Sequence, residues 1–306
     1  MKVLWLASWY PNKYEPVNGD FIQRHAIAVA QILPIHLIHV VQLGKDVAVK
    51  EERQDFVNTN LTEQINYIQY RKTGLSLFDK IQYNRFYLKR YLEILEQYFL
   101  EHGKPDLIHV HVPMKAGWVA IAIKKKYNIP YIVSEHGSYY DEAAPDTFSK
   151  RSFFFKRNTK KVCQNATAVT NVSTLIGSKM KALFHLNEVV TIHNVVDTNL
   201  FYYLPLENQN EFVWIHVSTL GEQKNIEGLF TAFSAFAKQS NQNQKLMMVG
   251  PSNNYHLELA KKNKIENLVE FVGEVPHQKV AFYMQQANAF VLFSKHENFP
   301  CVIIEA

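Results

Sequence analysis

Residues 212–250 read FVWIHVSTLGEQKNIEGLFTAFSAFAKQSNQNQKLMMVG and indicate the class of fold. The stretch contains a short apolar run at 212–217, a segment of helical period at 226–239 and a second apolar run at 245–249. Short apolar runs that alternate with longer helical segments are typical of β-α units, in which helices connect parallel strands. The stretch therefore predicts one strand–helix–strand unit of an α/β protein.

The same alternation continues on both sides of this unit. It predicts further strands at 2–7, 35–41, 65–69, 107–111, 131–134, 166–171, 189–192, 268–271 and 289–293, and helices at 20–32, 79–102, 114–127, 148–164, 174–184, 255–264, 277–286 and 300–306. Residues 197–211 are polar, rich in turn formers and without a period, so we interpret them as a linker. We therefore expect two doubly wound α/β lobes, at 1–196 and 212–306. Because the last helix has only just begun at residue 306, we expect a second lobe that is incomplete at its C terminus.

Composition excludes several classes of protein. Hydrophobic residues make up 47% of the chain and charged residues 20%, which is ordinary for a globular protein and unlike a disordered or fibrous one. No apolar run approaches the length of a transmembrane helix, and the N terminus does not resemble a secretory signal. Cys163 and Cys301 have neither a disulfide framework nor the spacing of metal ligands. We expect a cytoplasmic protein.

The positive charge lies in the first part of the chain. Residues 212–306 contain eight lysines and eight glutamates but no arginine or aspartate, so the whole net charge of +5 belongs to the first 211 residues. Residues 150–161, KRSFFFKRNTKK, place six cations around three phenylalanines. Such a segment can bind an anionic membrane surface, or it can bury its aromatic rings against the sheet as an ordinary helix. Nucleic-acid binding is disfavoured, because the sequence contains no recognisable module.

The clearest chemical signal is ENFPCVIIE at residues 297–305, in which seven residues separate two carboxylates. It follows an apolar strand and opens a helix, which places it at the carboxyl edge of a parallel sheet, where open α/β sheets bind ligands. A carboxylate can accept hydrogen bonds from paired ribose hydroxyls. The backbone N–H groups of Asn298 and Phe299 can bind sugar hydroxyls or phosphate. We expect Glu297 to project from a loop and Glu305 to lie two turns further along.

In this context the segment resembles the E-x7-E signature of retaining glycosyltransferases of family 4, also called group 1, which have the GT-B fold of two Rossmann-like lobes. Further motifs that resemble the family's follow in the family's order: WYP at 9–11 with GDF at 19–21, DLIHVH at 106–111, SEHG at 134–137, NVVD at 194–197 with Phe201, VSTL at 217–220 with Lys224-Asn225, and VG at 249–250 and 272–273. Each motif alone is generic, but the ordered set is specific and extends over nearly the whole chain.

The resemblance implies transfer of a hexose-like sugar from a nucleotide-diphosphate sugar to a saccharide or lipid-linked acceptor, in cell-surface polysaccharide or glycolipid synthesis. It implies no metal and no cofactor besides the donor substrate. The residues that it assigns are Glu305 at the ribose, Lys224 at the phosphates, Gly273 near the base, Gly19 near the diphosphate, His136 at the transferred sugar, and Glu297 at the sugar or at the charge that develops on the anomeric carbon.

One position departs from the family's pattern. Thr219 occupies the place of an arginine that helps to neutralise the leaving diphosphate, and no arginine follows residue 211. We expect Lys224 to carry this role, helped by helix N termini or by an arginine of the first lobe such as Arg24. His109 and His111 share one face of a strand, as metal ligands can, but the sequence offers no third ligand at a suitable spacing.

Two alternatives stay open from the sequence. The first is a nucleotide-sugar epimerase or hydrolase of the same architecture. The second is a non-catalytic protein that binds nucleotide sugars. Thr219, in place of the family's arginine, favours this alternative. Other classes are disfavoured because the sequence lacks the glycine-rich motif of dinucleotide oxidoreductases, the P-loop of NTPases and the nucleophile elbow of hydrolases.

Overall fold

The computed structural model describes residues 1–43, 51–70, 76–142, 144, 146–205 and 211–306, without the side chains of residues 76–78 and 80. The chain divides into two compact units, Met1–Asn194 and Val195–Ala306. Of the predicted linker, residues 197–205 form neither helix nor strand, residues 206–210 lie outside the described residues, and Glu211 begins a strand.

The first unit is an α/β sheet with helices on both faces. Its described strands follow the order β3-β4-β2-β1-β5-β6-β7-β8, all parallel to their neighbours except the edge strand β3, which runs antiparallel to β4. The elements are β1 (Val3–Ala7), α1 (Asp20–Ala30), β2 (Ile35–Leu43), β3 (Glu52–Asn58), β4 (Leu61–Gln69), α2 (Ser76–His102), β5 (Leu107–His111), α3 (Ala116–Tyr127), β6 (Tyr131–Glu135), α4 (Phe153–Asn165), β7 (Ala168–Asn171), α5 (Thr174–Phe184) and β8 (Val190–Thr191).

The alternation of side chains along β1 explains why both faces of this sheet are covered. Leu4 and Leu6 point to one face, where they pack in a core with α2 and α3. Val3 and Trp5 point to the other face and pack against α1. Successive side chains of a strand lie on opposite faces, so a strand that is apolar at every position must be buried on both.

The second unit is a smaller parallel sheet in the order β11-β10-β9-β12. Its elements are β9 (Glu211–Val217), α6 (Ile226–Ala237), β10 (Asn243–Val249), α7 (Asn254–Lys262), β11 (Val269–Gly273), α8 (His277–Met284), β12 (Ala289–Phe290) and α9 (Cys301–Glu305). Leu246 and Met248 of β10 pack against α6 and α7, whereas Met247 and Val249 belong to a core on the opposite face. Both units therefore confirm the predicted doubly wound α/β class.

The elements that differ from the sequence-based prediction include β3, β12 and α4. The strand β3 was not predicted, because ERQDFVN is charged and mostly exposed and lacks an apolar periodicity. The strand β12 ends at Phe290 rather than at residue 293. The helix α4 begins at Phe153 rather than near residue 148, because the hydroxyl of Ser152 accepts a hydrogen bond from the Phe155 N–H and caps the helix there.

Among the described helices, none combines the length and the apolar character that a bilayer-crossing segment needs.

Candidate active site

Two loops meet at the carboxyl edge of the second sheet, because β9 and β12 are adjacent parallel strands. The backbone N–H of Lys295 donates to the Gln223 carbonyl at 2.8 Å, and the Gln223 side chain donates to the His296 carbonyl at 2.7 Å. Beside them the Lys224 ammonium donates to Glu297 Oε1 at 2.5 Å. The structure therefore brings together two residues that are 73 positions apart in the sequence and that were both predicted for the site.

The contact between Lys224 and Glu297 is largely shielded from solvent. The two side chains are only 18% and 21% exposed, so water and salt screen the pair less than they screen a surface ion pair. Asn225, which follows Lys224, has φ of +52° and caps α6 by accepting a hydrogen bond from the Gly228 N–H. The helix thus fixes the direction in which the lysine leaves the backbone.

The loop that follows β9 is held by a buried histidine. Nδ1 of His216 donates to the Val291 carbonyl at 2.9 Å, so Nε2 of the neutral ring accepts from the Ser218 hydroxyl at 2.7 Å, and Ser218 Oγ accepts from the Leu220 N–H. Burial lowers the pKa of His216 to about 4, so the ring is neutral at physiological pH. His216 thereby ties the loop after β9 to the loop after β12, from within the sheet.

The second carboxylate of the predicted pair has a different partner. The Glu305 side chain is 5% exposed, and its Oε1 lies 2.9 Å from Nε2 of His277, the first residue of α8. Gly273 lies at the end of β11, where its carbonyl accepts from the Gly250 N–H at 2.9 Å. Glu297 and Glu305 therefore contact different elements of the second unit, the loop after β9 and the start of α8.

Gly19 lies at the start of α1 with φ of +70°. A Cβ atom at this position would lie 2.7 Å from the carbonyl carbon of Trp9 and 2.9 Å from the backbone nitrogen of Tyr10. Glycine is therefore required here by the fold itself, both for the left-handed conformation and for the close approach of two backbones. Arg24, on the same helix, pairs with Asp20 at 2.5 Å.

We expect Gly19→Ala to lower the free energy of unfolding by about 2–3 kcal/mol, since it adds a steric clash to the cost of the left-handed conformation. Gly103→Ala is the matched control, because Gly103 has φ of +74° but an added methyl group would meet no atom within 4 Å. The control should cost about 1 kcal/mol. Urea unfolding of both variants measures the difference, and equal losses would contradict the role of the Trp9 contact.

His136 follows β6 and lies among other rings. Its Nε2 is 3.3 Å from Nδ1 of His111, and its ring centroid is 4.9 Å from that of Phe21 and 5.6 Å from that of His25. The imidazoles of His25, His109, His111 and His136 line one cavity of about 250 Å³ in the first unit. The predicted sugar-binding histidine is thus one of four that the sheet and α1 bring together.

These imidazoles are neutral at physiological pH. Burial lowers the pKa of His109 to about 3 and lowers the pKa values of His111 and His136 well below their usual range, and the neighbouring rings act in the same direction. At neutral pH His136 can therefore donate or accept a hydrogen bond but carries no charge. Within the described residues, no group of three or more His, Cys, Asp or Glu side chains is arranged to hold a metal ion.

Glu135 is a residue that the sequence analysis missed. It is fully buried, and its Oε1 accepts from the backbone N–H groups of His136 and Gly137, both at 2.8 Å. Its Oε2 accepts from the hydroxyls of Tyr139 and Tyr140 at 2.6 and 2.7 Å. Burial raises the pKa of Glu135, and these four donors oppose the rise. Its place at the end of an apolar strand could have indicated this residue, because a buried carboxylate needs hydrogen-bond donors close by.

A larger cavity of about 920 Å³ lies at the carboxyl edge of the first sheet. Its lining combines aromatic rings with polar and cationic side chains, among them Trp9, Tyr14, Asn84, Trp118, Arg151 and Phe154. Flat rings beside amide and charged groups suit a carbohydrate or another ligand with both apolar and polar faces.

Comparison with known proteins agrees with this architecture. The family model of Glycosyltransferase Family 4 matches residues 24–200, and that of Glycosyl transferases group 1 matches residues 205–306. The chain is 26% identical to TuaC of Bacillus subtilis (strain 168), a glycosyltransferase assigned to teichuronic acid biosynthesis, over 328 residues that cover 100% of this chain and 78% of that protein. It is 25% identical to the alpha-monoglucosyldiacylglycerol synthase of Acholeplasma laidlawii, over 72% of this chain and 59% of that one.

A solved structure shows the same fold. Sucrose-phosphate synthase from Thermosynechococcus elongatus superposes with a TM-score of 0.69 at 18% identity, over 100% of this chain and 78% of that one. The likeness confirms the predicted GT-B architecture of two Rossmann-like lobes. Because the family models match in the order in which the two α/β units follow each other, and one of them spans more than half of the sequence, the chain is a member of Glycosyltransferase Family 4.

Proposed function

We propose that this glycosyltransferase moves a hexose-like sugar, with retention, from a nucleotide-diphosphate sugar to a saccharide or lipid-linked acceptor. We place the reaction in cell-surface polysaccharide or glycolipid synthesis, on the cytoplasmic side of the membrane. The observation that carries the proposal is the shielded contact between Lys224 and Glu297 at the carboxyl edge of the second sheet. Relatives named for teichuronic acid and glycolipid synthesis support the choice of pathway.

The contact provides a cation and a carboxylate where a donor would be activated. In our proposal the bound diphosphate replaces Glu297 as the partner of the Lys224 ammonium. The ammonium then neutralises the negative charge that develops on the leaving phosphate. Glu297 is then released to bind a sugar hydroxyl or to stabilise positive charge at the anomeric carbon. Since Thr219 occupies the place of the family's arginine, Lys224 carries this role without a second cation of the same loop.

We assign the other residues of the site by the family pattern. Glu305, held by His277, would accept hydrogen bonds from the ribose hydroxyls, while the N–H groups of Asn298 and Phe299 would meet sugar or phosphate oxygens. Gly273 would lie near the base. From the first unit, the neutral His136 would hydrogen-bond the transferred sugar, and Gly19 would allow the diphosphate to approach the backbone.

Retention needs no protein nucleophile in this proposal. The departing phosphate oxygen can itself take the proton of the acceptor hydroxyl on the face of the sugar that it leaves, so a C–O bond breaks and another forms on the same side. The role of the enzyme is then to position both substrates and to stabilise charge.

Glu305→Ala is expected to weaken nucleotide binding about 10- to 100-fold, because it removes charged hydrogen bonds to the ribose. Glu297→Ala should weaken it less, since Glu297 acts on the sugar. Calorimetry with UDP-, GDP- and ADP-sugars identifies the donor first and then measures both variants, with the exposed Glu258→Ala as the control. Equal effects of the two substitutions would contradict these roles. Absence of binding by any donor would contradict the proposed function, and release of free sugar without an acceptor would indicate a hydrolase.

A further inference from the structure

We propose that the first turns of α4 form a membrane-docking surface which delivers a lipid-linked acceptor to the 920 Å³ cavity. We call it the α4 surface and define it by Phe153, Phe154, Arg157, Lys160 and Lys161. The inference rests on the proposed function, because it chooses the lipid-linked acceptor over the free saccharide. Three observations carry it: the exposure of the phenylalanines, the unpaired cations and the position of the helix at the cavity.

The first observation is that α4 exposes large apolar side chains at its start. Phe153 is 75% exposed and Phe154 is 51% exposed. Further along the same helix, Thr159, Val162 and Cys163 are buried, so the helix has an ordinary inner face and these two rings are not part of it. An exposed pair of aromatic rings at one end of a helix is suited to insertion at the interface of a bilayer.

The second observation is the charge beside these rings. Arg157 and Lys161 lie one and two turns beyond Phe153 and share the exposed side of α4, with Lys160 next to them. No carboxylate in the described ranges pairs with these three cations, whereas Arg151 pairs with Asp146. The unpaired cations complement an anionic lipid surface, where each contributes about a fivefold gain in binding.

The third observation connects this surface to the cavity. The ring centroids of Phe154 and Trp118 are 5.4 Å apart, and both residues line the cavity together with Arg151 and Phe155. Trp118 Nε1 is buried and finds no hydrogen-bond acceptor among the described residues, so an unsatisfied donor lies in the wall of the cavity. An acceptor whose lipid stays in the bilayer could therefore place its polar head in this cavity.

Vesicle sedimentation tests the inference. We expect the 306-residue chain to sediment with vesicles of phosphatidylcholine and phosphatidylglycerol but not with phosphatidylcholine alone, and added salt should release it. The double variant Arg157→Gln/Lys161→Gln should bind about 25-fold more weakly. The double variant Phe153→Ser/Phe154→Ser should bind at least about 10-fold more weakly. Because these side chains are exposed, we expect both variants to fold like the unchanged chain. Thermal melting curves check this expectation.

Matched substitutions in the second unit provide the control. Lys261→Gln/Lys262→Gln removes two exposed cations of α7, and Phe282→Ser removes a ring that is 57% exposed. These variants should bind vesicles like the unchanged chain. Failure of the unchanged chain to bind the anionic vesicles, or equal losses in the control variants, would overturn the inference.

A second readout reports on the cavity itself. Brominated phosphatidylglycerol should quench tryptophan fluorescence in bound protein, and Trp118→Phe should remove most of the quenching because Trp118 lies beside Phe154. Quenching that Trp118→Phe does not change would place another surface on the bilayer and contradict the inference. Neither measurement uses a nucleotide sugar, so failure here is distinguishable from failure of the proposed function, which shows as absence of donor binding.

Discussion

Lys224→Ala is expected to lower kcat/KM for sugar transfer by about 10²- to 10³-fold, the loss typical of removing a group that stabilises transition-state charge. The effect should be large because residues 212–306 contain no arginine that could replace the ammonium, and because Thr219 stands where the family has one. Removal of the lysine also leaves Glu297, which is 21% exposed, without the cation that it contacts. Initial rates with the donor identified by calorimetry measure the loss.

Two further substitutions separate charge from folding. Lys224→Arg keeps a cation in the same place and should restore much of the activity, while Lys295→Ala removes an exposed lysine of the facing loop that pairs with Glu222 and should change little. If Lys224→Ala kept normal kcat/KM, or if Lys295→Ala lost as much, the role of the Lys224–Glu297 contact would be wrong. Thermal melts of all three variants show whether a loss of activity is a loss of fold.

Acid is expected to unfold the protein well before most carboxylates are protonated. Burial lowers the pKa of His39 and His216 to about 4 and that of His109 to about 3, whereas the unfolded chain binds these protons at a pKa of about 6.5. These histidines therefore do not lower the free energy of unfolding above pH 6.5. Below pH 6.5 they lower it progressively, until the pH reaches their pKa values in the folded protein. At pH 5 each histidine costs about 2 kcal/mol, so His39 and His109 together cost the first unit about 4 kcal/mol and His216 costs the second unit about 2 kcal/mol.

The loss in the first unit approaches the lower end of the whole stability of a typical domain, about 5–15 kcal/mol. The pKa values of His25, His111 and His136 are lowered as well, so the first unit should be more acid-sensitive than the second. Urea unfolding followed by circular dichroism between pH 8 and pH 5 measures the slope. His109→Phe should remove the contribution of one bound proton from this slope, which is about 1.4 kcal/mol in the free energy of unfolding per pH unit. A midpoint that stays constant over this range would contradict the prediction.

The sequence predicted most of the fold, because a strand that is buried on both faces appears in the sequence as a continuous apolar run. The strand β5 and the helix α5 begin and end where the sequence pattern predicted, and most other elements differ by one to four residues. The strand β3 could not be found in this way, since an edge strand need not be apolar. Its position depends on its pairing with β4, and a local sequence pattern does not reveal which strands pair.

The candidate site was predicted less completely. The motifs pointed to Lys224 and Glu297 separately, but their contact depends on β9 and β12 being neighbours, which is a property of the sheet order. Glu135 was missed because its four donors come from the turn that follows it, and a turn conformation cannot be deduced from composition. The cluster around His136 likewise forms only when β5, β6 and α1 are packed together.

The charged edge of the first sheet has a consequence for association between molecules. Arg53 and Asp55 of β3 form an ion pair at 2.9 Å, and β3 pairs only with β4 in the part of the chain that the structure describes. A foreign strand that added to this edge would have to desolvate both ions, which discourages cross-β growth from one molecule to the next. The protein can thus leave Phe56 and Val57 exposed beside them without offering a template for fibrils.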